Sequence, residues 1–342
     1  MNPSSPSDEA ILASRPAYVF LVAVLAIHLT IGSFVQVANP AFGIAFDELF
    51  VFAGLTIALV RSMNYRPAPF LAMRAPQPWA WPKVVLAAGA GFFAAGALNA
   101  LNRLVVGPEI SSRFDVTRLF EVRSVFEGVL LVAGVAVFAP FGEELLFRGY
   151  LMRVLRARYG WKGALFVTSA LFAVVHFNPA SVLALFGLGL VFGLIRLWTG
   201  SIWPSMLAHS IQNGVASALV LSGVSGQSPD ELPGLEAIGL LAISAPFVVL
   251  ALGLLRRKAT PDPETSAVDE EAGHHIHLSR VARPLAIGVA AAVVAIVLLF
   301  VVDGKAVGAR IGRKTAPQPA PSTNEPDHRG TGASVAPSSP KT

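Results

Sequence analysis

A small set of side chains in the middle of the chain has the types and spacing that acid–base chemistry needs. Glu143 and Glu144 are adjacent, within Pro140-Phe141-Gly142-Glu143-Glu144-Leu145-Leu146-Phe147-Arg148. On a helix Glu144 and Arg148 are i,i+4 neighbours with the acid N-terminal, the better order for an ion pair. Glu143 lies about 100° further around the helix. It is thereby free to face a different neighbour and to take a proton from water as a general base. Further on, Phe172 and His176 share a helix face, and so do His209 and Asn213. Phe172 reads as packing for the His176 ring. The residues alone leave other readings open. Polar groups in apolar helices often serve only to join helices, as in a scaffold that binds partners without cleaving them. Glu143, His176 and His209 also make a two-histidine, one-carboxylate set that suits zinc, although neither histidine belongs to an H-E-x-x-H motif.

The elements that must carry these groups are unusually apolar. Of 342 residues, 54% are hydrophobic and 14% charged, against about 25% charged in a soluble globular chain. Mean hydropathy is +0.62. There is no cysteine, which excludes disulfide scaffolds and thiolate metal sites. The composition predicts an all-α, polytopic transmembrane bundle. The net charge of +5 is explained by basic loop ends, so no nucleic-acid partner is expected. The expected partners are the lipid bilayer and a membrane-associated protein or peptide; oligomeric state is not readable.

A crossing helix needs about 20 apolar residues, which predicts eight to nine spans: 17–37, 42–60, 84–101, 127–147, 163–176, 180–198, 201–222, 235–255 and 284–302. The fifth is short for a full crossing. Arg61, Arg66, Arg74 and Lys83, then Arg148, Arg153, Arg156, Arg158 and Lys162, then Arg256, Arg257 and Lys258 fall on one side if spans alternate. The positive-inside rule makes that side cytoplasmic, together with the N-terminus. Arg far outnumbers Lys, the usage of a GC-rich prokaryote, so the expected location is a prokaryotic inner membrane. At 1.5 Å per residue, Glu143 and His176 each lie roughly 20 Å from the cytoplasmic ends of their helices, and His209 about 15 Å. Spans four, five and seven thus bring one polar group each to similar depth, as a shared intramembrane site requires. His28, Asp47, Glu48 and Arg196 are read as structural or interfacial.

The predicted organisation is a cytoplasmic segment 1–16, N-terminal helices and loop 17–126, a core 127–222, and an eighth span within 223–255. A polar linker 256–283, an additional span 284–302 and a disordered Pro- and Ser-rich tail 303–342 follow. His274, His275 and His277 in the linker are read as incidental. Gly189 and Gly193 have the spacing of a close helix contact.

Glu143-Glu144-x-x-x-Arg148, then Phe172-x-x-x-His176, then His209-x-x-x-Asn213, resembles the CPBP family of intramembrane proteases. That family includes the type II CAAX prenyl endopeptidases and the bacterial Abi proteins. The resemblance covers about 127–222, with no departure at a motif position. It implies a glutamate-dependent endopeptidase without a cofactor, zinc at the same residues being the alternative. It also implies that Glu143 activates water with help from His176, while His209 and Asn213 polarise the scissile carbonyl and stabilise the oxyanion. Glu144, Arg148 and Phe172 would support the site. A prenylated CAAX-type protein is the family's theme for a substrate.

Overall fold

A computed structural model of the chain describes residues 6–114, 120, 122, 124–223 and 234–258, with side chains from Arg15 onward. Among these residues the chain is all-helical and contains no strand. Helix is the form that satisfies every backbone amide within its own segment, the requirement for an apolar chain in lipid.

The helices are α1 (Pro6–Ile27), α2 (Ser33–Ala38), α3 (Pro40–Phe46), α4 (Leu55–Ser62), α5 (Pro67–Phe70), α6 (Trp81–Val106) and α7 (Pro108–Arg113). Then come α8 (Val125–Ala133), α9 (Ala139–Glu144), α10 (Met152–Val175), α11 (Val182–Thr199), α12 (Trp203–Leu221) and α13 (Gly234–Arg256). Wider π-helical turns join several of these end to end: His28–Gly32, Asp47–Gly54, Gly134–Phe138 and Leu145–Leu151. Such turns interrupt the regular ladder and often mark functional stretches. Here two of them flank α9, the short helix that ends in Glu143 and Glu144.

Among the described residues six stretches are long and apolar enough to cross a membrane: Arg15–Ala38, Pro40–Ser62, Pro78–Val106, Val125–Val175, Val182–Thr199 and Gly234–Arg256. All but two of the expected spans fall on these stretches. Expected spans four and five both lie within Val125–Val175, as two arms separated at Gly160. The seventh expected span, α12, is long enough but falls outside the six because His209, Gln212, Asn213 and several serines dilute its apolar character. The expected span 284–302, the tail 303–342, nearly all of the linker 256–283 and its three histidines lie outside the described residues. α1 begins at Pro6, inside the segment expected to precede the first span.

Gly160 is the pivot of the site-bearing part. Its φ of 63° and ψ of 175° are not helical, and a side chain there would be strained. A straight helix from Val125 to Val175 would be roughly 75 Å long, far beyond a bilayer. The break folds the chain back, so that His176 returns to Glu143. The returning arm, from Trp161 to Val175, is only about 22 Å long at 1.5 Å per residue. Its shortness leaves His176 at the depth of Glu143.

Close backbone contacts hold the neighbours in place. A Cβ on Gly142 would lie 2.5 Å from the Glu48 carbonyl oxygen and 2.9 Å from Phe52 Cβ, so α9 can rest directly on the Asp47–Gly54 turn. A Cβ on Gly189 would lie 2.9 Å from Ser169 Cβ, which seats α11 against the returning arm of α10. Gln212 of α12 donates to the Ala88 carbonyl of α6 at 2.6 Å. α13 packs along α6.

Candidate active site

Three helices deliver one group each to a common point. Glu143 Oε1 lies 3.8 Å from His176 Nε2, and Glu143 Oε2 lies 3.8 Å from His209 Nε2. The side chains are 12%, 28% and 5% exposed, respectively. The carboxylate of Glu143 therefore faces both imidazoles from a largely dry setting. Among the described residues its Oε2 has no hydrogen-bond partner, which leaves an acceptor directed at the shared space.

Glu144 turns to the other side of the same helix. Arg148 Nη1 donates to Glu144 Oε1 at 2.8 Å, with the two side chains 1% and 0% exposed. Arg148 Nη2 donates to the Gly189 carbonyl at 3.2 Å. The guanidinium carbon lies 4.3, 5.5 and 5.8 Å from the ring centroids of Phe172, Phe192 and Phe147. The ion pair is thus enclosed by an aromatic box, where ring faces attract the cation that water no longer solvates. Phe172 also stands edge-on to the His176 ring at 4.7 Å, and Phe192 stacks on the His209 ring at 4.7 Å.

Partners of the second ring nitrogens fix which tautomers are present. His176 Nδ1 is 2.7 Å from the Phe172 carbonyl, which only accepts. Nδ1 therefore carries the hydrogen, and neutral His176 presents the Nε2 lone pair to Glu143. His209 Nδ1 is 3.3 Å from Glu144 Oε1. The carboxylate accepts there, so Nδ1 carries a hydrogen and Nε2 is the ring nitrogen that faces Glu143. Asn213 lies one turn beyond His209, and its Nδ2 donates to the Val135 carbonyl at 2.9 Å. One amide hydrogen is committed to that bond, and the second remains for a ligand.

Glu143, His176 and His209 are also the donor set that a zinc centre would use. Among the described residues no three His, Asp or Glu side chains are drawn together closely enough to hold a metal ion.

Spans one and two contribute groups that sequence reasoning left without partners. His28 Nδ1 and Asp47 Oδ2 are 2.5 Å apart, and Gln36 Nε2 donates to the same oxygen at 3.1 Å. Glu48 is buried against Gly142, the residue that precedes Glu143. Two adjacent acids in an apolar span were the available signal; the helix that covers them was not readable. Phe192 was missed too, because an aromatic residue in an apolar run carries no mark of its neighbour. A cavity of 720 Å³ is lined by mostly apolar side chains that include Val137, Phe141, Trp203, Met206 and Leu207, together with Ser210; none of Glu143, His176, His209 and Asn213 lines it.

Residues 125–215 match the family model described as "Type II CAAX prenyl endopeptidase Rce1-like". An uncharacterized 24.3 kDa protein of Escherichia coli is 35% identical over 100 residues, 28% of this chain and 46% of that protein. The uncharacterized protein YpbD of Bacillus subtilis (strain 168) is 33% identical over 102 residues, 29% of this chain and 48% of that protein. The chain spans about half the length of these curated relatives. No solved structure matches it significantly. The resemblance carried by the three motifs therefore stands at the level of the family: residues 125–215 are similar to the type II CAAX prenyl endopeptidases.

Proposed function

We propose that the chain is an intramembrane endopeptidase that hydrolyses a peptide bond of a membrane-associated protein. The observation that carries this reading is the convergence of His176 and His209 on the two oxygens of one buried carboxylate, Glu143. Glu143 takes a proton from water, and the resulting hydroxide oxygen attacks the scissile carbonyl carbon. His176, its Nε2 lone pair facing the same space, accepts a hydrogen bond from that water and aligns it. The carbonyl oxygen becomes an oxyanion, which His209 and the second Asn213 amide hydrogen stabilise. Collapse of the tetrahedral centre breaks the C–N bond, and Glu143 passes its proton to the departing amine. Glu144, Arg148 and Phe172 act through others: they orient His209 and His176.

The substrate class follows from the family description. A CAAX-type protein is the substrate we propose. Basic loops favour a cytoplasmic N-terminus, and a prokaryotic inner membrane is the proposed location. The site lies within the region 127–222, which we propose as the catalytic core.

A zinc-dependent form of the same reaction is the second reading. It is favoured by the engaged Nδ1 atoms of both histidines, since a ligating histidine usually donates its other nitrogen to a carbonyl or carboxylate. The test is cleavage of a quenched prenyl-peptide and of a transmembrane peptide by purified protein in detergent, with and without chelator. Cleavage retained in chelator supports water activation by Glu143 alone. Loss that zinc reverses supports the metal. Absence of cleavage with both peptides supports a partner-binding scaffold.

A further inference from the structure

Positive charge gathers without a counter-charge where α6 begins and α13 ends. Trp79 stands just before α6. The Lys83 ammonium lies 5.0 Å from its ring centroid and donates to the Trp79 carbonyl at 2.7 Å. Lys258, just past α13, brings a second ammonium to 5.8 Å from the same ring. Arg256 and Arg257 beside it are exposed. Among the described residues neither lysine is ion-paired. The sequence offers no nearby acid: no Asp or Glu occurs between Glu48 and Glu109, nor between Glu236 and Asp262.

One cation at the end of α13 has a simple cause, because the last carbonyls of a helix attract it. Two ammoniums from separate elements on one indole do not. They repel each other, and the ring quadrupole offsets only part of that. An anion that touches both would remove the repulsion. Its source is set by depth. Val85 and Leu86, two and three residues from Lys83, are 51% and 40% exposed on a stretch long and apolar enough to cross a membrane. Trp79 therefore sits at the border between acyl chains and headgroups, where tryptophan is enriched. The anion at that level is a lipid phosphodiester.

We propose that Trp79, Lys83 and Lys258 bind the headgroup of an anionic phospholipid and so fasten α6 to α13 at the membrane border. The reading is independent of the proposed peptidase activity.

The test is titration of the full chain in neutral detergent with phosphatidylglycerol and with phosphatidylcholine, read by native mass spectrometry. Phosphatidylglycerol should bind the wild type more tightly. Replacing Lys83→Gln together with Lys258→Gln should weaken that binding about thirtyfold, at about 1 kcal/mol per basic residue near a membrane surface. The pair Lys83→Arg and Lys258→Arg keeps both charges and should retain binding, which separates loss of the site from loss of the fold. Arg15→Gln with Lys162→Gln removes equal charge elsewhere and should leave binding unchanged. Equal loss in both glutamine pairs, or none in either, overturns the proposal. Competition by millimolar inorganic phosphate as effective as that of phosphatidylglycerol would assign the site to a free anion and overturn the lipid reading.

Discussion

The Glu144–Arg148 pair allows a sharp test of how the site is supported. Both charges are buried, and each is stabilised almost wholly by the other and by a few fixed groups. Arg148→Ala removes the 2.8 Å bond to Glu144, the 3.2 Å bond to Gly189 and contact with three phenylalanine rings. It leaves Glu144, whose side chain is 0% exposed, with His209 at 3.3 Å and the Ser205 hydroxyl as polar neighbours. Stranding one charge of a buried pair costs about 3–5 kcal/mol. Truncation of so large a core side chain adds a cavity. Arg148→Met fills most of that space and keeps contact with the rings, yet it strands the same carboxylate. Its loss should be smaller than that of Arg148→Ala by the cavity contribution alone. Glu144→Ala strands the guanidinium inside the aromatic box. Glu144→Gln with Arg148→Met removes both charges at nearly constant volume and should recover most of the folded yield and melting midpoint, measured in detergent. Turnover should not recover with it, because His209 Nδ1 loses the carboxylate that holds its ring. Equal yields and midpoints for all four variants would show that burial of this pair does not support the fold, and the assignment of Glu144 and Arg148 would fail.

Glu143→Gln keeps shape and polarity but cannot take the proton from water; turnover should fall at least about 10²-fold with the melting midpoint unchanged, whereas an active variant would place the base elsewhere. His176→Ala should lose turnover similarly. Asn213→Ala should lower kcat by roughly 10²–10³, the usual effect of losing an oxyanion donor, with little change in KM. Turnover should fall in acid, where Glu143 is protonated and can no longer act as the base. Asn213→Ala should keep that acid limb while lying below the wild type throughout; a wild-type rate that does not fall in acid would show that another group takes the proton. Gly142→Ala should reduce yield and activity together, at about 1–3 kcal/mol for an overpacked contact, because its Cβ would lie 2.5 Å from the Glu48 carbonyl oxygen; a stable, active variant would show that α9 can shift away. Gly160→Ala, at φ 63° and ψ 175°, should cost about 1–3 kcal/mol, read as a lower melting midpoint.

Class and motifs were legible in the residues because they depend on local chemistry. Apolar runs in lipid must be helical, so composition alone dictated an all-helical membrane protein. Spacing of i,i+4 paired Glu144 with Arg148 and set Phe172 beside His176, since those contacts lie within one helix. Depth, counted at a fixed rise per residue, gave reason to expect Glu143, His176 and His209 at one level. What lies between helices was decided only by the tertiary structure. Apolar runs marked two spans on either side of Gly160, but a lone glycine states neither its φ nor the direction of the chain beyond it, so the turn that brings His176 back to Glu143 was not readable. His28 and Asp47 pair across two helices, and Phe192 stacks on His209 from a helix that bears no other site residue. No local pattern encodes such contacts. The roles of the ring nitrogens were likewise beyond the sequence. Whether His209 offers a hydrogen or a lone pair depends on which group stands at Nδ1, and packing of α12 against α9 puts Glu144 there.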